Sequence, residues 1–264
     1  MKRYFYFLFV FFAANSVSSA SWASGKLYIA SDQLRAMSGD RIVDVIVPQA
    51  EISVEAPPQV YAGGGILGAV IASSIQSSRE KNGEARILPL RNALTGFDVD
   101  GLALDATKAA VANVPWLHAK SVAFGKDSSL VGESTLLDTN GTDQTMFVTY
   151  SYSLEPSCAT LKISATVAIA NKAAIADEKP VKRLSADNLA YSQTITYTVS
   201  LNTPSKQREE NVAQWSSDNG KFARKALTAG FEALKTLLPK ALSTPESDAK
   251  SVKHVVFDGQ VLNP

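Results

Sequence analysis

The sequence predicts an α+β fold, in which amphipathic helices pack on one face of an antiparallel β-meander. Three stretches within residues 144–201 alternate apolar and polar residues, a period of two that indicates pleated strands. Residues 205–238 instead repeat their apolar residues with the period of a helix. Because such a helix can cover the apolar face of a meander, the two patterns together give the predicted fold class.

Residues 1–23 have the pattern of a secretory signal peptide. Lys2 and Arg3 precede an uninterrupted apolar run over residues 4–14, and small-x-small sites follow at residues 18–20 and 21–23. The run is shorter than the roughly 20 residues that a membrane-crossing helix needs. We therefore expect cleavage near Ser21 or Ser24 and a periplasmic or secreted protein with one domain over residues 24–264. Peripheral contact with the outer membrane stays open.

The composition of the mature chain argues against a nucleic-acid partner. The full chain has 26 basic and 25 acidic residues, and the leader removes only Lys2 and Arg3, so the remainder is close to neutral. Cys158 is the single cysteine and lies far from the cleavage site. We expect no intramolecular disulfide, no lipid attachment at the cleavage site, and a buried, unreactive thiol.

The remaining elements follow in chain order. Residues 26–31 and 41–54 favour extended segments, and residues 63–95 form a glycine-rich helical segment. A second helix is predicted over residues 97–117, with Asp98 or Asp100 as its cap, and a short strand over residues 120–124. Pro239 should end the long helix of residues 205–238. Residues 239–264 then form a tail with a closing strand over 252–256.

The long helix contains a predicted irregularity. Asp218, Asn219 and Gly220 interrupt its apolar pattern, and a glycine inside a helix costs about 1 kcal/mol relative to alanine. We expect a break or kink at these residues.

The glycine-rich segment permits two functional interpretations. Residues 63–68 match G-x-G-x-x-G, a motif that can hold a pyrophosphate. Pro57 and Pro58 stand where a dinucleotide fold requires a buried strand, so we predict no cofactor. The segment also repeats small residues on one helix face, which favours close helix packing or membrane contact. Gly64, Gly68 and Ala72 lie on that face, and Gly65 lies beside it.

Catalytic and metal-binding patterns are weak. Ser247 to Lys250 and Ser217 to Asn219 match fragments of the penicillin-recognising signatures, but in reversed order and without K-T-G. His118 and His254 are far apart in sequence and lack ligand spacing. We therefore assign no catalytic residue and no metal ligand, and we expect His118 at a helix end.

The glycine-rich segment, and the run from Asn211 to Trp215 followed by an amphipathic helix, resemble uncharacterised secreted proteins and lipoproteins of Gram-negative bacterial envelopes. The resemblance spans most of the mature chain and implies a location without implying a chemistry. The chain departs from the lipoproteins because it has no cysteine at the cleavage site.

These observations predict an exported, non-enzymatic envelope protein that binds or assembles with another component. The expected partner is an envelope protein or a second copy of the chain, and membrane association is not required. One alternative is an oligomeric, membrane-associated or pore-like assembly that uses the glycine-rich segment or the β-hairpins. A second alternative is a nucleotide-binding enzyme that uses the glycine motif.

Overall fold

The computed structural model describes residues 29–55, 80–126, 142–171, 189–245 and 256–258, without the side chains of 80–84 and 256–258. The helices are α1 (Asp32–Arg35), α2 (Glu80–Leu94), α3 (Val99–Ala112) and α4 (Arg208–Ser243), with a 3-10 turn at Pro115–Leu117. The strands are β1 (Arg41–Ile46), β2 (Ser53–Val54), β3 (Ala119–Gly125), β4 (Gln144–Leu154), β5 (Thr160–Asn171), β6 (Leu189–Ser200) and β7 (Val256–Asp258). The α+β class is confirmed.

The predicted meander is the centre of the sheet. Strands β4, β5 and β6 are consecutive and antiparallel, and the three alternating stretches supply them. The outer strands pair in parallel: β1 lies between β3 and β4, β2 continues beside β4, and β7 lies beside β6. Parallel neighbours need a crossover. Helices α2 and α3 lie between β1 and β3 in the chain, and α4 lies between β6 and β7, so helices lie on the connections of these two parallel pairs.

Helix α4 covers one face of the meander, as the helical period predicts. The ring of Phe231 lies 5.5 Å from the ring of Tyr150 on β4. Gly230 faces β5 and β6 so closely that an added Cβ would lie 2.7 Å from Ile163 Cδ1 and 3.2 Å from Tyr197 Cδ1. The buried stripe of α4 runs through Trp215, Phe222, Ala226, Leu227, Phe231, Leu234, Leu238 and Leu242.

The predicted break in α4 is confirmed. Ser217 is extended, and Asp218, Asn219 and Gly220 all have left-handed backbones, with φ of 47°, 57° and 70°. Gly220 also lies against α2, because an added Cβ would come within 3.1 Å of the carbonyl oxygen of Ala93. The break therefore lets two helical halves follow the core at different angles.

The prediction that Pro239 ends the long helix is wrong, because α4 continues to Ser243. A proline inside a helix removes one backbone hydrogen bond. The last turn survives because Leu238 and Leu242 are fully buried on the core face. The Arg35 guanidinium also donates to the carbonyls of Leu242 and Ser243, at 3.1 Å and 3.2 Å.

The other predicted boundaries shift for local reasons. The extended segment 41–54 divides into β1 and β2 around Pro48, whose nitrogen cannot donate to a ladder. Asp98 caps α3, accepting from the Gly101 N–H at 2.8 Å, but the helix ends at Ala112 and a separate 3-10 turn starts at Pro115.

The two short predicted strands and the first predicted extended segment compare with the structure as follows. The strand predicted over 120–124 is β3, and the predicted closing strand overlaps β7 only at Val256. Of the segment 26–31, residues 29–31 are described, and Ser31 caps α1. Residues 63–79 of the glycine-rich segment and 252–255 of the closing strand lie outside the described residues.

Replacing Gly230 with valine is expected to destabilise the protein by about 2 kcal/mol, since a branched side chain would overpack against Ile163 and Tyr197. Urea unfolding of the mature protein measures the change. Thr228→Val is the matched control, because Thr228 lies on the exposed side of α4 and should change stability by less than about 0.5 kcal/mol. Equal stability of the two variants would contradict the close helix–sheet contact.

Candidate functional site

The face of the sheet opposite α4, which we call the second face, carries an isolated buried acid. Along one row of the sheet register this face presents Asp44, Phe147, Ala168 and Ser192, from β1, β4, β5 and β6. Asp44 is 4% exposed, and its Oδ2 atom has no hydrogen-bond partner. Desolvation by burial raises the pKa of this carboxyl from 3.8 to about 6. Asp44 therefore titrates at a mildly acidic pH.

The described sheet neighbours of Asp44 along its row and its strand are apolar. Its register neighbours are Ala123 on β3 and Phe147 on β4, and the flanking positions of β1 on the same face are Ile42 and Ile46. General acid–base catalysis needs a proton partner within hydrogen-bond reach. These four neighbours offer none, so the raised pKa reflects burial and gives no indication of a catalytic pair.

Two threonines on β4 flank the Asp44 row. Thr145 pairs with Ile42 and Thr149 with Ile46, and both hydroxyls are buried without a partner. Both threonines are diagonal neighbours of Asp44, and such neighbours lie about 7–8 Å apart in a sheet. Among the described residues, four buried side-chain polar atoms lack a hydrogen-bond partner. Three of them, Asp44 Oδ2, Thr145 Oγ1 and Thr149 Oγ1, lie on the second face, and the fourth is Trp116 Nε1.

Beyond this cluster the second face becomes hydroxyl-rich. Cross-strand pairs of hydroxyls on β5 and β6 hydrogen-bond at 2.9 Å, 2.9 Å and 3.1 Å: Thr166 with Thr194, Ser164 with Thr196, and Thr160 with Ser200. Such pairs strengthen a sheet. They make this half of the face polar.

Lys162 is the charged member of the hydroxyl-rich half. Its Nζ lies 3.0 Å from carboxylate oxygens of Glu55 and Glu155. Burial alone would lower the pKa of Lys162, but the hydrogen bonds to Glu155 and Glu55, together with the charge attraction of both carboxylates, raise it. The ammonium therefore stays charged and tied to both acids.

A second polar cluster surrounds the start of β1. Arg41 is 1% exposed. Its guanidinium donates to Gln144 Oε1 at 2.7 Å and to the carbonyls of Trp116 and Leu117 at 3.0 Å and of Leu34 at 3.3 Å. Burial lowers the pKa of Arg41. Its donors are used by the fold, which makes Arg41 a structural cation.

Two guanidinium groups lie near the ring of Trp116. Its ring centroid is 5.5 Å from Cζ of Arg41 and 5.8 Å from Cζ of Arg35, distances at which cation–π attraction operates. Arg35 donates to the carbonyls that end α4. The cluster thus joins the start of β1, the 3-10 turn and the end of α4.

The break in α4 borders a cavity of about 290 Å³, which we call the α4-break cavity. The described residues that line it have apolar and uncharged polar side chains. The lining residues are Leu201, Asn202, Thr203, Ala213, Gln214, Ser217 and Phe222. Ligand sites are typically concave, with an apolar lining and a few polar groups.

Cys158 is buried, as expected. Burial raises the pKa of its thiol, and its carbonyl accepts a 2.9 Å hydrogen bond from Trp215 Nε1. A thiol with a raised pKa is a poor nucleophile. Cys158 therefore belongs to the core.

His118 ends the 3-10 turn with a left-handed backbone, φ 43°. Its carbonyl accepts from the Arg41 N–H at 3.0 Å. The predicted position at a helix end is therefore confirmed, on the short 3-10 turn.

The predicted small-residue face, Gly64, Gly65, Gly68 and Ala72, lies outside the described residues, as does His254. Within the described ranges, no group of three His, Cys, Asp or Glu side chains is placed to hold a metal ion. The helices described are also too short or too polar to cross a membrane.

Comparisons with known proteins give no family. No family model matches the chain, and no curated protein matches it. A solved structure described as the crystal structure of an uncharacterized protein is similar over 70% of this chain and 91% of its own, at 13% identity and a TM-score of 0.19. A similarity this low carries no argument about fold or function.

Proposed function

We propose that the protein is an exported, non-enzymatic component of the bacterial envelope that binds or assembles with a partner. The observation that carries the binding role is the α4-break cavity, a concave site whose described lining combines apolar and uncharged polar side chains. The basic and apolar pattern of residues 2–14 supports export.

The reactive side chains support a role without catalysis. The Cys158 thiol has a raised pKa, and the guanidinium groups of Arg35 and Arg41 bind carbonyl oxygens of the fold. Asp44 has apolar neighbours in its row. Cys158 and the two arginines thus contribute to the packing and hydrogen bonding of the described part of the fold.

Fractionation of cells expressing the full chain tests the location. We expect the mature protein in the periplasmic or secreted fraction, with an N-terminus near Ser21 or Ser24, and release of any membrane-bound fraction by carbonate. A control chain that lacks residues 2–14 should stay in the cytoplasm. Uncleaved protein in the cytoplasm would contradict export, and retention after carbonate would favour the membrane-associated alternative.

In-cell crosslinking followed by purification of the mature protein tests the binding role. We expect one or a few specific envelope proteins, or a second copy of the chain, to copurify. Purification under the same conditions of the chain that lacks residues 2–14 is the control for nonspecific capture. Recovery of the same set from both would count against a specific partner in the envelope.

A further inference from the structure

Strand β3 is an edge of the sheet in the described part of the chain. It pairs with β1 on one side, and no described strand pairs with its other side. Its side chains are open to solvent on both faces of the sheet, because Ser121, Ala123 and Phe124 are all exposed. An edge strand of this kind is accessible to a further strand, and strand addition is a recurrent mode of protein association.

The hydrogen bonds of β3 show which of its backbone groups face away from the sheet. The Gly125 carbonyl accepts from the Val47 N–H at 3.3 Å, so Gly125 directs its backbone groups towards the chain of β1. Successive residues of a strand direct these groups to opposite sides, so Val122 and Phe124 direct theirs away from β1. The register of β3 with β1 is regular from Ser121 to Gly125, which includes both residues.

The side chains at these two outward positions are apolar. Phe124 is 39% exposed, and among the described residues the other exposed large hydrophobic side chain is Leu88 on α2, at 52%. Val122 is partly buried and packs against the core. The Lys126 ammonium lies 5.7 Å from the Phe124 ring centroid and 2.6 Å from Asp100 Oδ1. The free edge therefore combines unpaired backbone groups with apolar side chains.

We propose that β3 pairs in antiparallel orientation with β3 of a second copy of the chain, about a two-fold axis at Ala123. In this register Val122 of each copy lies opposite Phe124 of the other, and each such pair exchanges two backbone hydrogen bonds. Aromatic and β-branched residues form favourable cross-strand pairs. A two-fold dimer uses the same patch twice and covers the free edge of both copies. The inference rests on the proposed assembly role and names a second copy as the partner.

The other residues of β3 are compatible with this register. Ala123 lies opposite Ala123 of the second copy at a non-hydrogen-bonded position, where Cα atoms approach to about 4.5 Å and a small side chain is accommodated. Ser121 lies opposite Gly125, so no bulky pair arises on that face. Lys120 lies opposite Lys126 at the ends of the paired segment, and the ion pair of Lys126 offsets one of these two charges.

The two neighbouring registers use this edge less well. An axis at Val122 pairs Phe124 with Lys120, which the register of β3 with β1 skips. An axis at Phe124 pairs Val122 with Lys126, which lies beyond the end of β3. The axis at Ala123 therefore forms its hydrogen-bonded pairs entirely from the regular, apolar part of the strand.

Sedimentation velocity of the mature protein tests the dimer. We expect a monomer–dimer equilibrium with a Kd on the order of 10 μM, because one short pair of strands is a small interface. Measurement from about 1 μM to about 200 μM covers this transition. A monomer across the whole range would overturn the proposal.

Phe124→Lys removes the aromatic member of both cross-strand pairs, and Leu88→Lys makes the same change at the exposed position of α2. We expect Phe124→Lys to weaken dimerisation at least about tenfold and Leu88→Lys to leave the Kd unchanged, with both variants folded by circular dichroism. Undiminished dimerisation of folded Phe124→Lys would place the interface elsewhere. An equal effect of both variants would attribute the change to surface charge, and either result refutes the proposed edge.

Ala123→Cys tests the register. In the proposed dimer the two substituted positions have Cα atoms about 4.5 Å apart, within the range of a disulfide. Ala119→Cys is the matched control, since Ala119 is an exposed alanine on the same face of β3. Its two copies would lie roughly 25 Å apart. Mild oxidation should give a covalent dimer of Ala123→Cys alone. Equal crosslinking of both variants, or none of Ala123→Cys, would refute the pairing about Ala123.

The same measurements separate this inference from the proposed function. If the mature protein is monomeric while specific envelope proteins copurify after in-cell crosslinking, the self-pairing is wrong and the general binding role stands. If the protein dimerises through β3, with the expected effects of Phe124→Lys and Ala123→Cys, the second copy is a partner in the assembly role.

Discussion

Replacing Arg41 with methionine is expected to lower the free energy of unfolding by about 3–5 kcal/mol. Methionine fills much of the same volume but leaves four acceptors without their donor: Gln144 Oε1 and the carbonyls of Leu34, Trp116 and Leu117. For a domain of this size the loss corresponds to a fall in Tm of roughly 10 °C. Thermal and urea unfolding of the mature protein would measure it.

A lysine at the same position separates the charge from the geometry. Arg41→Lys keeps the cation but has no planar fork to reach four acceptors, so we expect it to lose most of the same stability. Arg86→Met is the matched control. The Arg86 guanidinium pairs with Glu209 at 3.1 Å on the surface, where ion pairs contribute about 0–1 kcal/mol. If Arg41→Met unfolds with nearly the same free energy as the wild-type protein, the four hydrogen bonds contribute little to stability.

The sequence was a good guide to the fold where the pattern is local. Alternation predicted β4, β5 and β6, and the apolar stripe predicted that α4 covers them, because both patterns record burial along one element. The parallel pairing of β1 with β3 and β4 depends on crossover connections, which leave no periodic signal. The prediction that Pro239 ends α4 was wrong because tertiary packing also leaves no periodic signal. The burial of Leu242, which stabilises the last turn, comes from such packing.

The candidate sites were less predictable than the fold. Asp44 carried one signal, an acid in the middle of the apolar run Ile42 to Ile46, although the run alone cannot show that the carboxyl is buried without a partner. Asp218 to Gly220 signalled the break in α4, but the cavity beside it also needs residues 201–203 of the preceding connection. Arg41 gave no signal, because its acceptors come from segments that meet only in the folded chain.

Replacing Asp44 with asparagine is expected to raise the free energy of unfolding by about 3 kcal/mol at about pH 8. The folded carboxyl has a pKa of about 6 against an ordinary 3.8, so the folded state holds this proton more tightly than the unfolded state does. A raised pKa contributes stability that is fully present below about pH 4 and lost as the pH rises towards 6. Above that pH the wild-type protein keeps a desolvated charge on the second face, and asparagine removes it.

The pH dependence of the difference identifies its cause. Urea unfolding of wild type and Asp44→Asn at about pH 8 and about pH 4 should show a gap that nearly closes at the lower pH, where the wild-type carboxyl is itself neutral. Asp105→Asn, on the exposed side of α3, should change stability by less than about 0.5 kcal/mol at either pH. A gap of equal size at both pH values would mean that the amide stabilises the second face by packing or hydrogen bonding, and that the buried charge of Asp44 costs the fold little.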